Sequence, residues 1–395
     1  MKRQLLHTPE GVRDIYNDEC EKKMLLQDQL YHILRLHGYH PIQTPTFEFF
    51  DIFGREIGTT PSKDLYKFFD REGNTLVLRP DITPSIARCA AKYFGEEELP
   101  IRLCYMGNTF INNSSYQGRL KECTQLGAEL LGDPSVDADA EMISMVISCL
   151  KAAGLKEFQL SIGHADFFRG LMEAAGLLEE QEEELRELIS NKNFFGVEEF
   201  VETLNLEENL KKLFGMLGNL YTGSDELSAA RECAASYPRI LKAIGDLEEL
   251  HKILEVYEVS RYVSFELGTI SNYQYYTGII FAGYTFGSGE AIVKGGRYDR
   301  LLTYFGKDSA SIGFAFVVDQ LMAALQRQKI DVPVERSVEL MVYQPEKRQT
   351  AITAAAAARA AGRCVELMRW DETKQREDYE DYAARSRMTN VQFFA

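Results

Sequence analysis

Ile101-Arg102-Leu103-Cys104-Tyr105-Met106-Gly107-Asn108-Thr109-Phe110 and Glu122-Cys123-Thr124-Gln125-Leu126-Gly127-Ala128-Glu129-Leu130-Leu131 carry the reading of the fold. Both runs are apolar or partly alternating, and the polar stretch Asn112-Asn113-Ser114-Ser115-Tyr116-Gln117-Gly118 separates them. That pattern predicts two antiparallel strands with a long connection. Gln125 and Glu129 are four residues apart, so in a strand they share one face. Polar groups inside an apolar strand need partners. A bound polar ligand and a neighbouring side chain meet that need equally well.

Towards the N-terminus, Asn17 to His37 reads as a helix that Asn17 can cap. Leu26, Leu30, Ile33 and Leu34 form its apolar stripe, and Gly38 stands just past its end. Tyr39 to Pro45 reads as extended. Leu65–Asp70 and Asn74–Leu78 read as a hairpin around Arg71-Glu72-Gly73. Thr83 to Tyr93 reads as a helix with Pro84 in its first turn. Asp81 and Thr83 stand at the junction before that helix. There they suit either the capping of its N-terminus or the holding of an α-ammonium group.

Towards the C-terminus, Ser135 caps a helix running to about Ala153, and Phe158 to Ile162 reads as a strand. From about 165 to 259 strand signals thin out and amphipathic helix dominates, which reads as a helical insertion. Its glutamates at 179, 180, 182, 183 and 184 form a solvated face. Strands return at Tyr262–Leu267, Ile279–Phe286 and Ala291–Lys294, with Gly295-Gly296-Arg297-Tyr298-Asp299 following. Ile312–Val318 leads into a helix to about Arg327. The segment 330–335 reads as a linker. Beyond it lie a strand Val338–Tyr343, an alanine-rich helix Thr350–Ala361 and a strand Cys364–Met368. The expected domains are 1–329, with the insertion at about 165–259, and a small α/β piece at 330–395.

The composition, 45% hydrophobic and 26% charged in 395 residues, is that of a globular protein. No run approaches the ~20 apolar residues of a membrane span, and no apolar run follows Met1-Lys2-Arg3 as in a signal peptide. Seven scattered cysteines without C-x-x-C spacing point to reduced thiols and a cytoplasmic setting. His32, His37 and His40 lack a completing ligand, so no metal or cofactor is expected. The net charge of −16 weighs against a phosphate-binding surface for nucleic acid. Tyr273, Tyr275 and Tyr276 suit either core packing or a wall for a ring. Gly295-Gly296 matches neither nucleotide fingerprint and reads as room for close backbone packing. His164 closes a strand, at either an interface or a hydrogen-bonded structural position.

Taken in order, these segments resemble histidyl-tRNA synthetases, class II enzymes, from about Pro9 to Leu321. Gly38-Tyr39 through Pro45 and Glu48 resembles the first class II motif, at the dimer interface. Leu78-Arg79-Pro80-Asp81-Ile82-Thr83 resembles the segment that grips the histidine amino group. Arg102 through Glu129 is similar to the second motif, and Gly313-Phe314-Ala315 to the start of the third. Gln274-Tyr275-Tyr276-Thr277-Gly278 and Gly295-Gly296-Arg297-Tyr298-Asp299 resemble the histidine-specific segments. The fold implied is α+β: a class II synthetase-like antiparallel sheet with flanking helices, a helical insertion and a small C-terminal α/β piece. The histidine pocket implied is Asp81, Thr83, Gln125, Glu129, Tyr275 and Tyr276.

The sequence departs from that family where phosphate chemistry is done. Ile111 and Asn113 replace the arginine and glutamate of the second motif. Ser271 replaces the catalytic arginine, and Gln320 the arginine that ends the third motif. Arginine supplies fixed, always-charged bidentate donors, and losing one such donor typically costs ~10²–10³ in rate.

This pattern resembles the ATP phosphoribosyltransferase regulatory subunit family. The resemblance implies a non-catalytic chain that assembles with the short-form catalytic subunit in a hetero-oligomer, a hetero-octamer among the arrangements. It implies a class II homodimer, feedback by L-histidine, no tRNA and no membrane. The segment after Pro333 resembles a shortened anticodon-binding domain, and five acidic residues between Asp371 and Glu380 fit lost tRNA contact. A divergent histidine-activating enzyme and a histidine sensor for another partner are the rival readings.

Overall fold

The computed structural model describes residues 6–54, 60–97, 100–113, 120–223, 227–270, 275–334 and 337–395. The chain divides into two compact units, Met1–Val332 and Pro333–Ala395.

The first unit opens with α1 (Asn17–Leu36), which buries Leu26, Leu30 and Leu34. Tyr16, not Asn17, is its N-cap residue, and no side chain caps it. Asn17 adopts φ 51°, the left-handed backbone that asparagine tolerates, and is thereby drawn into the helix as its first residue. Gly38, at φ 81°, ends the helix where only glycine turns without strain. Of the extended stretch expected from Tyr39 to Pro45, only β1 (His40–Pro41) joins a sheet.

A small antiparallel sheet follows in the order β2-β4-β3, from β2 (Phe47–Phe49), β3 (Lys67–Phe69) and β4 (Thr75–Leu78). The β3–β4 hairpin turns through Gly73 at φ 85°. Next come α2 (Thr83–Tyr93), β5 (Ile101–Phe110), β6 (Glu122–Leu131), α3 (Val136–Ala152) and β7 (Phe158–His164). Ser135 caps α3 by accepting from the Ala138 amide.

Helices then dominate: α4 (Ala165–Ala175), α5 (Glu179–Ser190), α6 (Phe194–Glu202), α7 (Glu208–Gly215), α8 (Ser228–Cys233) and α9 (Pro238–Val256). One short strand, β8 (Leu220–Tyr221), lies among them, a correction to the all-helical reading of this stretch. Two residues are too few for a period-two signal, and it is pairing with β9 that makes them a strand. The unit closes with β9 (Val263–Glu266), β10 (Ile279–Thr285), β11 (Val293–Arg297), β12 (Ser311–Val317) and α10 (Val318–Arg327). Gly295, Gly296 and Arg297 lie within β11 instead of following it. Their backbone hydrogen bonds to β10 and β12 outweigh the weak strand preference of paired glycines.

Nine strands form the main sheet in the order β1-β5-β6-β12-β11-β10-β7-β9-β8. From β5 to β7 every pair is antiparallel; β1 with β5 and β7 with β9 run parallel at the margins. The sheet is the class II synthetase-like α+β arrangement. One face, including Leu126, Ala128 and Leu130 of β6, packs under α1, α3 and α9 in the largest core. The opposite face carries Ile82, Tyr105, Tyr275, Tyr276 and Tyr298 in a second cluster.

The second unit alternates β13 (Val338–Tyr343), α11 (Arg348–Ala360), β14 (Cys364–Arg369), α12 (Arg376–Arg385) and β15 (Asn390–Phe394). Its sheet is parallel, ordered β14-β13-β15. α12 buries Tyr379 and Ala383 against Leu340 and Val342, while α11 covers Met341. The acidic stretch after Asp371 therefore leads into a helix with few inward residues, Tyr379 and Ala383.

Candidate amino-acid site on the class II sheet face

The register of β6 and its neighbours places the candidate residues. Glu129 pairs with Leu103 on β5 and Gly313 on β12; Gln125 pairs with Gly107 and Val317. Both point to the face opposite the main core, as their spacing predicts. α2 begins directly above them and contributes Asp81 and Thr83.

Glu129 is 1% exposed. Its Oε1 accepts from the Thr83 hydroxyl at 2.8 Å and its Oε2 from the Tyr298 hydroxyl at 2.5 Å. Burial pushes its carboxyl up to about 8, against the lowering pull of the Tyr298 and Thr83 hydrogen bonds. Asp81 is also buried, which raises it to about 6, and its Oδ1 accepts from the Ile82 amide at 2.8 Å. The N-cap position of α2 is Ile82, and no side chain caps it. Thr83 thus holds Glu129 instead of capping, and Asp81 binds the backbone at the helix start.

The Gln125 amide approaches Asp81. Its Oε1 and the Tyr105 hydroxyl are buried and lack hydrogen-bond partners among the described residues. The Tyr105 hydroxyl lies close to Thr83 and Glu129 without reaching hydrogen-bonding geometry. Two buried carboxylates and an orphaned carbonyl in one place make an acceptor-rich site. Such a site favours a ligand that brings a positive charge and N–H donors.

Three glycines let the aromatic and acidic side chains lie flat on the sheet. A β-carbon at Gly127 would stand 2.7 Å from the Tyr105 hydroxyl, and one at Gly296 2.8 Å from the Tyr276 ring. One at Gly313 would stand 1.5 Å from Glu129 Oε2. Tyr275 and Tyr276 are buried, with ring centroids 4.8 Å apart, and Tyr275 meets Tyr298 edge-on at 5.8 Å. Aromatic packing and a ligand wall are therefore compatible roles here. Sequence reasoning passed over Tyr105 and Tyr298 as members of this network. The signal was present in the parity of β5, where Tyr105 shares a face with Leu103 and Gly107.

A cavity of about 1110 Å³ adjoins this network at Tyr276 and extends to Ile111, Lys63, Lys192, Glu266 and Lys294. Of the residues singled out in the sequence, it brings Tyr276 and Ile111 to its wall; Asp81, Thr83, Gln125, Glu129 and Tyr275 lie outside its lining. Asn113 has a buried Oδ1 without a hydrogen-bond partner among the described residues, and Gln320 sits in the first turn of α10. Ser271, Tyr273 and Gln274 lie outside the described residues, as does most of the 112–118 loop.

Arg297 of β11 is buried. It pairs with Asp139 of α3 at 2.7 Å and donates to the carbonyls of Asp133 and Ser135. It is structural, tying the sheet to α3. His164 accepts from the Asp166 amide at the start of α4 and lies 3.4 Å from Asp246, the hydrogen-bonded structural role of its two readings. Among the described residues, no group of three or more His, Cys, Asp or Glu is placed to hold a metal, and no helix is long and apolar enough to cross a membrane.

The family model described as histidyl-tRNA synthetase matches residues 11–321. An ATP phosphoribosyltransferase regulatory subunit of Acetivibrio thermocellus is 41% identical, over 92% of this chain and 86% of its own. The chain belongs to the ATP phosphoribosyltransferase regulatory subunit family. Another regulatory subunit, from Caldanaerobacter subterraneus subsp. tengcongensis, is 36% identical over 92% of this chain and 94% of its own. A crystal structure from Bacillus halodurans, titled as an ATP phosphoribosyltransferase regulatory subunit/histidyl-tRNA synthetase, superposes with a TM-score of 0.86 at 32% identity. It covers 99% of this chain and 98% of that one. Histidyl-tRNA synthetase from Nostoc sp. PCC 7120 shares the fold, with a TM-score of 0.79 at 19% identity over 96% of this chain and 89% of that one. In this member of the regulatory-subunit family, Ile111 lies on the wall of the cleft.

Proposed function

We propose that this chain is a non-catalytic subunit that binds the short-form ATP phosphoribosyltransferase and makes the first step of histidine biosynthesis responsive to L-histidine. One observation carries the non-catalytic reading: the cleft wall presents Ile111 where the synthetase resemblance calls for an arginine on the α-phosphate. An apolar side chain gives developing phosphate charge no donor. The acceptor-rich pocket supports binding of the amino acid without its activation.

In this reading Asp81, with Thr83, meets the ammonium group, Gln125 and Glu129 meet the remaining polar edges, and Tyr275 and Tyr276 wall the imidazole. Regulation is linkage. Histidine binds one conformation of the complex better, and a coupling free energy of ~1–3 kcal/mol appears as lost activity. The outward face of the small sheet supports a homodimer: Phe47, Phe49 and Phe68 are exposed there, with Phe47 and Phe68 in edge contact at 5.9 Å. The acidic stretch from Asp371 to Glu380 supports the absence of tRNA binding.

The deciding assay is phosphoribosyl-ATP formation by the cognate short-form subunit, with and without this chain, across a histidine titration. Stimulation that histidine reverses is expected. No stimulation and no complex would sink the proposal. Histidine-dependent ATP–pyrophosphate exchange would instead establish the activating-enzyme reading.

A further inference from the structure

The amino-acid pocket as described is built from acceptors. An amino acid also carries a carboxylate, and beside Asp81 that group would be repelled. The nearby Arg79 is largely engaged: its Nε and Nη1 donate to the carbonyls of Asn108, Thr44 and Pro45, and its Nη2 lies over Gly107. A second cation stands on the same sheet face.

Register identifies it. Lys294 on β11 pairs with Ala315 on β12, which pairs in turn with Gly127 on β6. Lys294 shares its face with Gly296, two residues on, over which the Tyr276 ring lies. It therefore rises on the same side as Gln125 and Glu129, two strands away, roughly 10 Å at the backbone. Between them β12 offers a floor of Ala315 and Val317, both partly exposed. On the other side of Lys294 lies Ala282 of β10. Small side chains leave this floor open.

Lys294 lines the cavity beside Tyr276. It is exposed and has no ion pair or side-chain hydrogen bond among the described residues. Lys192, across the cavity, lies 3.6 Å from Glu266. Lys63 belongs to a separate short turn, Ser62–Asp64. Only Lys294 of these three stands on a strand that faces the pocket.

We propose that Lys294 pairs with the α-carboxylate of the amino acid whose ammonium group meets Asp81, so that the site selects free amino acids over relatives lacking that carboxylate. The proposal rests on the amino-acid reading of the pocket given above and adds a specificity-determining residue to it.

Calorimetric titration of the full chain with L-histidine, L-histidinol and histamine tests it. Lys294→Met should weaken L-histidine binding on the order of tenfold or more, the scale of one charge-assisted hydrogen bond. The same change should leave L-histidinol and histamine within about twofold, and Lys294→Arg should restore most of the histidine affinity. Lys63→Met should change none of the three. Equal losses for all three ligands, or histidine binding indifferent to Lys294→Met, would overturn the proposal while leaving the pocket in place. If wild-type chain binds no histidine, or Asp81→Asn leaves binding unchanged, the pocket reading falls and the proposal with it.

Discussion

Glu129 of β6 and Gly313 of β12 are cross-strand partners, and the Glu129 carboxylate occupies the space in which a Gly313 side chain would begin. The acid can lie flat beneath Thr83 and Tyr298 only because its neighbour has no β-carbon. Gly313→Ala should therefore displace Glu129 and destabilise the fold by about 1–3 kcal/mol, the usual cost of overpacking. Urea denaturation checks the stability, and the histidine titration checks the site. Gly289→Ala, where a β-carbon meets open space, should be neutral in both.

Glu129 should also make stability fall as pH rises. Its carboxyl titrates at about 8 when folded, against 4.5 as the ordinary value. The folded chain thus keeps a proton that the unfolded chain has released. The stabilisation is full below 4.5 and lost as pH rises through about 8. Asp81 acts in the same sense, but its window closes at about 6. Urea midpoints of wild type should accordingly decline between pH 6 and 8, and Glu129→Gln should flatten that decline. Parallel profiles for the two chains would refute this account.

Arg297→Met should cost about 3–5 kcal/mol, because it leaves Asp139 buried without its cation. The double variant with Asp139→Asn should recover much of that loss. Chemical denaturation of the three variants forms the required cycle.

Phe47→Asp together with Phe49→Asp should leave the chain folded and monomeric, since both side chains project from the exposed face of the small sheet. Sedimentation velocity against wild type reads the change. A wild type that is itself monomeric would remove the class II dimer from the proposed assembly.

Local pattern carried much of this structure. β5, β6, α2 and β13 fall within the residue limits their apolar runs imply, and Ser135 caps α3 as its position suggests. Where the reading slipped, long-range pairing was responsible. β8 is too short to show a period and exists through its bonds to β9. Gly295 and Gly296 read as following a strand that ends at Lys294 until β10 and β12 are placed on either side of them. α12 overlaps an acidic stretch in which Tyr379 carries most of the inward signal, and β15 beyond it exists through its pairing with β13.

The site divides in the same way. Sequence alone determined which residues share a face, since parity along β6 aligns Gln125 with Glu129. By the synthetase resemblance, it also determined that arginines are missing from the positions of Ile111, Ser271 and Gln320. Tertiary structure alone decided that Glu129 takes Thr83 and Tyr298 as partners, because those residues come from α2 and the segment after β11, 46 and 169 positions away in the chain. It alone placed Lys294 across β12 from Gly127. Periodicity is a property of one strand, whereas a pocket is made by the order in which strands lie side by side, and no local pattern encodes that order.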